Sequence, residues 1–221
     1  MSASLAERKK RAARIVAYLK KAYPEPKSEL KYRTNFQFVV AVMLSAQCTD
    51  KLVNKVTAEL FKKYKTSHDF AKADPEKFGH EIAQIPFKWN KSKHIIGTAK
   101  IIENQYDGKV PKDAQVLQQL PGIGYKTAHV VLGELFDTWP GIPTDTHVRR
   151  FAIKFDLTDH KELTKISKDL EALVAKSDWK YVNNGLILYG RYICKAHKHD
   201  CREHPLTKLW PPAADRWPKA K

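Results

Sequence analysis

Apolar residues recur along this chain with the spacing of amphipathic helices. Four stripes repeat every three to four residues, the period that places side chains on one face of an α-helix. The stripes are Ala12, Ile15, Val16 and Leu19; Leu52, Val53, Val56 and Leu60; Ile95, Ala99, Ile102 and Tyr106; and Leu163, Ile166, Leu170 and Leu173. Gly108 is expected to end the third helix, and the spacing of Asp159 and Glu162 predicts a capping box that opens the fourth.

One segment is apolar on all sides. Residues 36–44 read FQFVVAVML and continue into Ser45 without a turn signal. This pattern predicts a central buried helix rather than a strand. The pair Asp107-Gly108 follows a helical stripe and precedes Pro111, so it is expected to end a helix rather than to turn a hairpin. The predicted fold class is all-α.

Clusters of proline residues predict where the chain passes from one part of the fold to another. Clusters at positions 24 and 26 and at positions 140 and 143 are interpreted as crossings between two helical lobes. A last group of prolines leaves a polar tail, PPAADRWPKAK, which is expected to lack regular structure.

The net charge indicates which class of binding partner to expect. The 221 residues contain 40 Lys and Arg against 24 Asp and Glu, a net charge of +16, which indicates a polyanion such as nucleic acid. A hydrophobic content of 43% excludes intrinsic disorder, and the 3 cysteines are too few for a disulfide framework. No apolar run approaches the roughly 18 residues of a membrane span. We expect a monomer in the cytoplasm and nucleoid, with no membrane association.

The most informative string is LPGIGYKTA, residues 120–128. Two glycines around one aliphatic residue, followed by a helical pattern, predict a turn that presents backbone N–H groups at a helix N-terminus, where an anion is favoured. Such a helix-hairpin-helix would hold a phosphate without reading a base. The alternative is an ordinary turn between two helices.

Lys126 and Asp145 are the candidate catalytic pair. Lys126 falls in the first turn of the second helix, where an amine made more nucleophilic by burial and neighbouring cations could form a Schiff base with a sugar. Asp145 could stabilise an oxocarbenium-like centre. The alternatives are one more phosphate contact for Lys126 and a helix N-cap for Asp145.

Four blocks of sequence together resemble the helix-hairpin-helix DNA glycosylases of the endonuclease III family. They lie in the order and spacing of that family over nearly the whole chain. The blocks are LSAQCTD at 44–50 with Asn54, LPGIGYKTA at 120–128 with Val130 and Val131, DTH at 145–147 with Arg150, and LILYGRYIC at 186–194.

The resemblance implies a bifunctional glycosylase and apurinic/apyrimidinic lyase that acts on oxidised pyrimidines in duplex DNA. Lys126 then matches the Schiff-base lysine and Asp145 the aspartate of the family motif, while Gln47 fills the gap left by the flipped base. Phe87 falls in the wedge loop, where the family usually has leucine, and Lys88 is interpreted as an insertion there. The remaining expected DNA-binding residues are Gly122, Ile123, Gly124, Tyr125, Thr127 and His147.

The resemblance also implies an architecture. Residues 28–138 would form one lobe with the hairpin, and residues 1–27 plus 139–221 would form the other. A DNA-binding cleft would lie between them. The substrates would be double-stranded DNA with damaged bases and abasic sites.

The C-terminal region departs from the family. Many relatives hold a [4Fe–4S] cluster with four cysteines, but the same register here gives Cys194, Cys201, His204 and Trp210. We therefore expect no cofactor and no cluster, with Trp210, Leu206 and Leu209 filling the volume. A zinc site drawn from Cys194, His197, His199, Cys201 and His204 is a weaker alternative.

Two other functions remain open from the sequence. One is a monofunctional glycosylase for alkylated or mismatched bases, which Lys126 disfavours. The other is a catalytically silent helix-hairpin-helix module that only binds DNA, which would have no need of Asp145 or Gln47.

Overall fold

The computed structural model describes residues 3–218, and every regular element in that range is helical, which confirms the all-α class. In chain order the α-helices are α1 (Leu5–Ala22), α2 (Asn35–Ser45), α3 (Asp50–Lys63), α4 (Ser67–Ala71), α5 (Pro75–Glu81), α6 (Lys88–Tyr106), α7 (Ala114–Gln119), α8 (Tyr125–Phe136), α9 (Thr146–Lys154), α10 (Leu163–Leu173), α11 (Leu186–Tyr192) and α12 (Pro205–Leu209). Shorter turns are the 3₁₀ segments Lys176–Asp178 and Pro211–Asp215 and the π-helical segment Tyr181–Gly185.

The chain divides into two compact units, each with its own hydrophobic core. One unit is Ser28–Thr138, and the other joins Met1–Lys27 to Trp139–Lys221. The first unit holds α2 to α8, and the second holds α1 and α9 to α12.

Helix α2 is the centre of the first unit. The side chain of Thr34 caps it by accepting a hydrogen bond from the backbone N–H of Gln37, and the residues from Phe36 to Leu44 are buried. It packs against α3, α6 and α8. A helix enclosed in this way can be apolar on all faces, and the predicted buried helix is confirmed.

Helix α6 supports the remainder of that unit. Its 19 residues carry a buried face against which α4 and α5 pack. It ends with Asp107 and Gly108 in the left-handed conformation, with φ of 51° and 69°. These residues therefore terminate a helix, as their position after the stripe predicts.

The second unit is built around α1 and α9. The predicted stripe of α1 is buried and faces α10, α12 and the π-helical turn, while α11 packs on α9. Gly190 of α11 permits this approach, because a Cβ at that position would overlap the ring of His147 and lie 2.8 Å from the Arg150 guanidinium.

The predicted start of the fourth stripe is wrong. Helix α10 has Glu162 as its N-cap, and the side chain of Glu162 makes no capping hydrogen bond. Asp159 instead accepts a hydrogen bond from Arg8 at 2.6 Å, and Leu163 is 48% exposed. The spacing misled because Asp159 is paired with Arg8 of α1, a contact between residues far apart in the sequence.

The prediction of an irregular tail is also wrong for the described residues. Pro211–Asp215 forms a 3₁₀ turn with Ala213 buried, and the ring of Trp217 lies 3.7 Å from the Lys154 ammonium. That ammonium also donates to the Arg216 carbonyl at 3.1 Å. Aromatic faces attract cations, so a buried lysine orders the tail. Residues 219–221 of the predicted segment lie outside the described residues.

Trp210 is less enclosed than the sequence suggests. Its ring is partly buried, 6.4 Å from the ring of Phe155 and 4.1 Å from the guanidinium of Arg11. It therefore covers the edge of the core, whereas Leu206 is fully buried.

Candidate nucleic-acid interface and catalytic residues

Helices α7 and α8 and the turn between them form the predicted hairpin. Gly122 has φ of +75°, a conformation that favours glycine. A Cβ at this position would lie 2.8 Å from the Cβ of His94 and 2.9 Å from the Cε of Met43. Gly122 is therefore required both by the backbone conformation and by the packing of α6 and α2.

Helix α6 holds this turn in place. The buried hydroxyl of Thr98 donates to the carbonyl of Pro121 at 2.8 Å. Ile123 is 3% exposed and belongs to the core. The side chain of Ile123 anchors the turn, so the predicted contact of this residue with DNA would have to be made by its backbone.

The second glycine has a different role. Gly124 is the N-cap of α8, has an ordinary φ of −89° and provides no side-chain cap. A Cβ at this position would meet no atom within 4 Å. The first amide groups of α8 therefore open onto free space, where the helix dipole and the N–H groups favour an anion.

Lys126 lies in the first turn of α8, as predicted, and its side chain is exposed. The structure, which contains no DNA, therefore does not show the burial that was expected to make this amine more nucleophilic. Next to it, the exposed Tyr125 contacts the ring of His129 edge to face, with centroids 3.9 Å apart, and Thr127 is half-buried.

Gln47 and Phe87 share an unusual backbone conformation. Their φ angles are 56° and 59°, and both side chains are exposed, Phe87 to 61%. Within residues 3–218, the other non-glycine residues of positive φ are aspartates at helix ends, Asp107, Asp137 and Asp156. Aspartate tolerates this conformation, but for a bulky aromatic residue it is an outlier of the kind that accumulates at functional sites.

A buried lysine that the sequence did not single out, Lys91, bonds to the backbone just before Gln47. The Lys91 ammonium donates to the carbonyls of Leu44 at 2.8 Å and Ala46 at 2.6 Å, at the end of α2 just before Gln47. The backbone N–H of Lys91 donates to the carbonyl of Phe87 at 3.0 Å. Burial lowers the pKa of Lys91, and the two carbonyls accept from two of its three N–H groups. Its only sequence signal is a lysine on the apolar face of a helix.

In the other unit, Asp145 is the N-cap of α9. Its Oδ1 accepts hydrogen bonds from the backbone N–H groups of His147 and Val148, both at 2.8 Å. The capping alternative is therefore present in the structure. The ring of His147, in the first turn of the same helix, is half-buried against Gly190. One carboxylate oxygen of Asp145 makes both capping bonds, which leaves the other for a further role.

The C-terminal cysteines and histidines only partly converge. Ligand atoms of Cys194, His199 and His204 lie within 4.8 Å of one another, a group that could hold a metal ion. Neither His197 nor Cys201 joins this group, and His197 is exposed. Burial raises the pKa of the Cys194 thiol and lowers the pKa of His204. The expectation of no metal is therefore not supported.

Comparison with known proteins assigns the family. The profile of the HhH-GPD superfamily base excision DNA repair proteins matches residues 40–176. Endonuclease III of Bacillus subtilis is 42% identical over 188 residues, which is 85% of each chain. Endonuclease III of a Synechocystis species is 39% identical over 209 residues, 95% of each chain. The chain belongs to the endonuclease III family.

A solved structure extends the likeness to the fold. The trapped covalent intermediate of an endonuclease III with DNA matches with a TM-score of 0.84 and 36% identity, over 91% of this chain and 94% of that one. The protein is thus a base-excision DNA repair enzyme of the endonuclease III family. Within the described residues, no helix is long and apolar enough to cross a bilayer.

The two glycines of the hairpin give a matched pair of tests. Gly122→Ala should lower the free energy of unfolding by about 1–3 kcal/mol, because it adds strain and a close contact. Gly124→Ala should change it by less than about 1 kcal/mol, yet weaken binding to an abasic-site duplex about tenfold, because the methyl group occupies the space before the α8 amides. Urea unfolding and fluorescence anisotropy measure the two effects. Normal DNA affinity in Gly124→Ala would show that no phosphate lies there.

Lys91 is tested by removal of its ammonium. Lys91→Met should lower the free energy of unfolding by about 1–3 kcal/mol, because the carbonyls of Leu44 and Ala46 lose their donor. It should also reduce the preference for abasic over intact duplex, because the turn that holds Gln47 loosens. Lys100→Met, an exposed lysine on the same helix, is the control, and it should weaken both duplexes equally. An unchanged preference in Lys91→Met would contradict the positioning role.

Proposed function

We propose that this protein is a bifunctional DNA glycosylase and AP lyase that removes damaged pyrimidines, chiefly oxidised ones, from duplex DNA. The observation that carries the proposal is the exposed amine of Lys126 in the first turn of α8, directly after the open amide groups that follow Gly124. A phosphodiester bound at those amides brings a deoxyribose within reach of the amine. The net charge of +16 supplies the general attraction to DNA.

The amine of Lys126 acts as the nucleophile. The neutral form of the amine bonds through nitrogen to C1′ of the damaged nucleotide while the glycosidic bond breaks, and the proton that the nitrogen loses goes to the departing base. The sugar ring then opens to a protonated Schiff base. Loss of a proton from C2′ expels the 3′ phosphate, so that the C3′–O bond breaks and the strand is nicked.

Asp145 contributes a negative charge to this step. Positive charge develops on the sugar as the glycosidic bond lengthens, and a fixed carboxylate stabilises that charge more in the transition state than in the ground state. The two backbone N–H groups of α9 hold one oxygen of the carboxylate in place. A carboxylate so fixed needs little reorganisation during the reaction.

Gln47 and Phe87 insert into the duplex. A flipped nucleotide leaves a gap and costs a few kcal/mol of unstacking, which an amide and an apolar wedge partly offset. The exposure and the constrained backbone of both residues support these roles. Lys88, Tyr125, Thr127 and His147 are assigned to the surrounding DNA contacts.

The chain does not carry a [4Fe–4S] cluster in this proposal. The cluster requires four thiolates, and Cys201 lies outside the group that Cys194 forms with His199 and His204. Trp210 has no lone pair to donate, and its ring packs against Arg11. The protein acts as a monomer on DNA of the nucleoid.

The lyase step is tested by borohydride trapping on abasic DNA. The wild-type protein should form a covalent adduct, and Lys126→Ala should form none, because the amine that makes the Schiff base is gone. Lys109→Ala, an exposed lysine in the same unit, serves as the control and should trap normally. Undiminished trapping in Lys126→Ala would assign the chemistry to another amine. Absence of trapping and nicking in the wild type would favour a monofunctional glycosylase or a silent binding module.

Asp145→Asn separates charge from capping. Asparagine caps helices about as well as aspartate, so the free energy of unfolding should change little. The single-turnover rate of base excision should fall by about 100-fold or more, because the charge is lost. Asp145→Ala should in addition lose about 1 kcal/mol of stability with the cap. A normal rate in Asp145→Asn would mean that this side chain only caps α9.

A further inference from the structure

The loop between α11 and α12 brings together donors that no part of the proposed repair chemistry uses. Cys194 lies just after α11, His199 in the middle of the loop, and His204 at the start of α12. Their ligand atoms lie within 4.8 Å of one another. The thiol of Cys194 is buried, whereas Lys195, His197 and the other residues up to 198 are exposed and have no helical structure.

Two imidazole nitrogens in this group are buried and lack a hydrogen-bond partner among the described residues. They are Nε2 of His199 and Nδ1 of His204. Nδ1 of His199 lies 2.8 Å from the carbonyl of His197. Because a carbonyl only accepts, Nδ1 carries the proton and Nε2 keeps its lone pair. This arrangement is typical of metal-bound histidines, in which the second nitrogen donates to a backbone carbonyl.

The charged neighbours of the thiol come from α9. Arg150 donates to the carbonyl of Cys194 at 2.7 Å, and its Nη1 lies 3.9 Å from Sγ. The Lys154 ammonium also acts on Cys194 and on His204. The group offers one cysteine sulfur and two imidazole nitrogens as ligand atoms.

We propose that Cys194, His199 and His204 bind a single zinc ion. Zinc is bound in proteins by cysteine sulfur and histidine nitrogen in tetrahedral sites, and these residues supply three of its four ligands. Bound zinc ties the irregular loop to α11 and to α12. The ion has a structural role and takes no part in base excision. The proposal does not rest on the proposed function.

This donor set differs from the one that the cysteine register of the family predicts. That register selects Cys194, Cys201, His204 and Trp210, whereas the convergent atoms include His199 and exclude Cys201 and Trp210. A site for one small ion therefore replaces a site for a larger cluster. His199 is held toward the group by its contacts with His204 and Trp217, whose ring centroids both lie 5.0 Å from its own.

The test measures metal binding by the full-length protein. Metal analysis should find one zinc per chain after purification without chelator. The chelated protein should bind added Zn²⁺ with one-to-one stoichiometry in calorimetry, and Co²⁺ in its place should show a sulfur-to-cobalt charge-transfer band. Added Zn²⁺ should raise the Tm of the chelated protein, since it binds only the folded chain.

Variants identify the ligands. His199→Gln and His204→Gln should each lose more affinity than the roughly 100-fold that loss of an outer-shell partner costs, and Zn²⁺ should no longer raise their Tm. Cys194→Ser should in addition lose the charge-transfer band. His197→Gln and Cys201→Ala are matched controls and should bind zinc like the wild type. His199 and His204 are partly exposed, so their variants are expected to fold. They remain informative even if Cys194→Ser fails to fold.

Three results would overturn the proposal. They are stoichiometric iron in the purified protein, failure of the chelated wild type to bind Zn²⁺, and unchanged affinity in both histidine variants. Borohydride trapping of the same samples reports separately on the repair chemistry. Zinc-free protein that traps normally would refute the zinc site alone, and zinc-loaded protein that never traps would refute the lyase function alone.

Discussion

The candidate DNA-contacting surface of the first unit depends on how the carbonyl groups at the C-terminal end of α2 are hydrogen-bonded. Because α2 is buried as far as Leu44, the carbonyl groups at its end are buried or partly buried and need donors within the protein. The ammonium of Lys91 supplies them by bonding to Leu44 and Ala46. The chain then reverses directly into the left-handed Gln47, so satisfying a buried helix end also sets the direction in which a functional side chain projects.

Helix α6 also positions the other candidate DNA-contacting residues. Its first residue follows the left-handed Phe87, its buried Lys91 holds the turn of Gln47, and its Thr98 holds the carbonyl of Pro121 in the hairpin. Three separate parts of the proposed DNA surface are therefore fixed by one helix. A rigid support of this kind reduces the entropy lost when several side chains engage a ligand together.

In the second unit, the buried groups that need partners are charged side chains rather than backbone carbonyls. Lys154 is fully buried and is covered by the ring of Trp217 and the carbonyl of Arg216, while Asp156 pairs with Arg11 and Arg216. Buried ions persist when they are paired and hydrogen-bonded. Here Arg216 and Trp217 supply the partners, so a polar, proline-rich segment packs against the second unit.

The sequence by itself determined the helical class, the enclosed α2 and the hairpin, and it predicted catalytic roles for Lys126 and Asp145, because periodicity and short motifs are local properties. Resemblance to a family added roles for Gln47 and Phe87. Only the tertiary structure decided that Ile123 points into the core, that Lys91 caps α2, and that His199 rather than Cys201 joins Cys194 and His204. These facts depend on contacts between residues distant in the chain or on the path of an irregular loop. Spacing along the sequence carries no information about either.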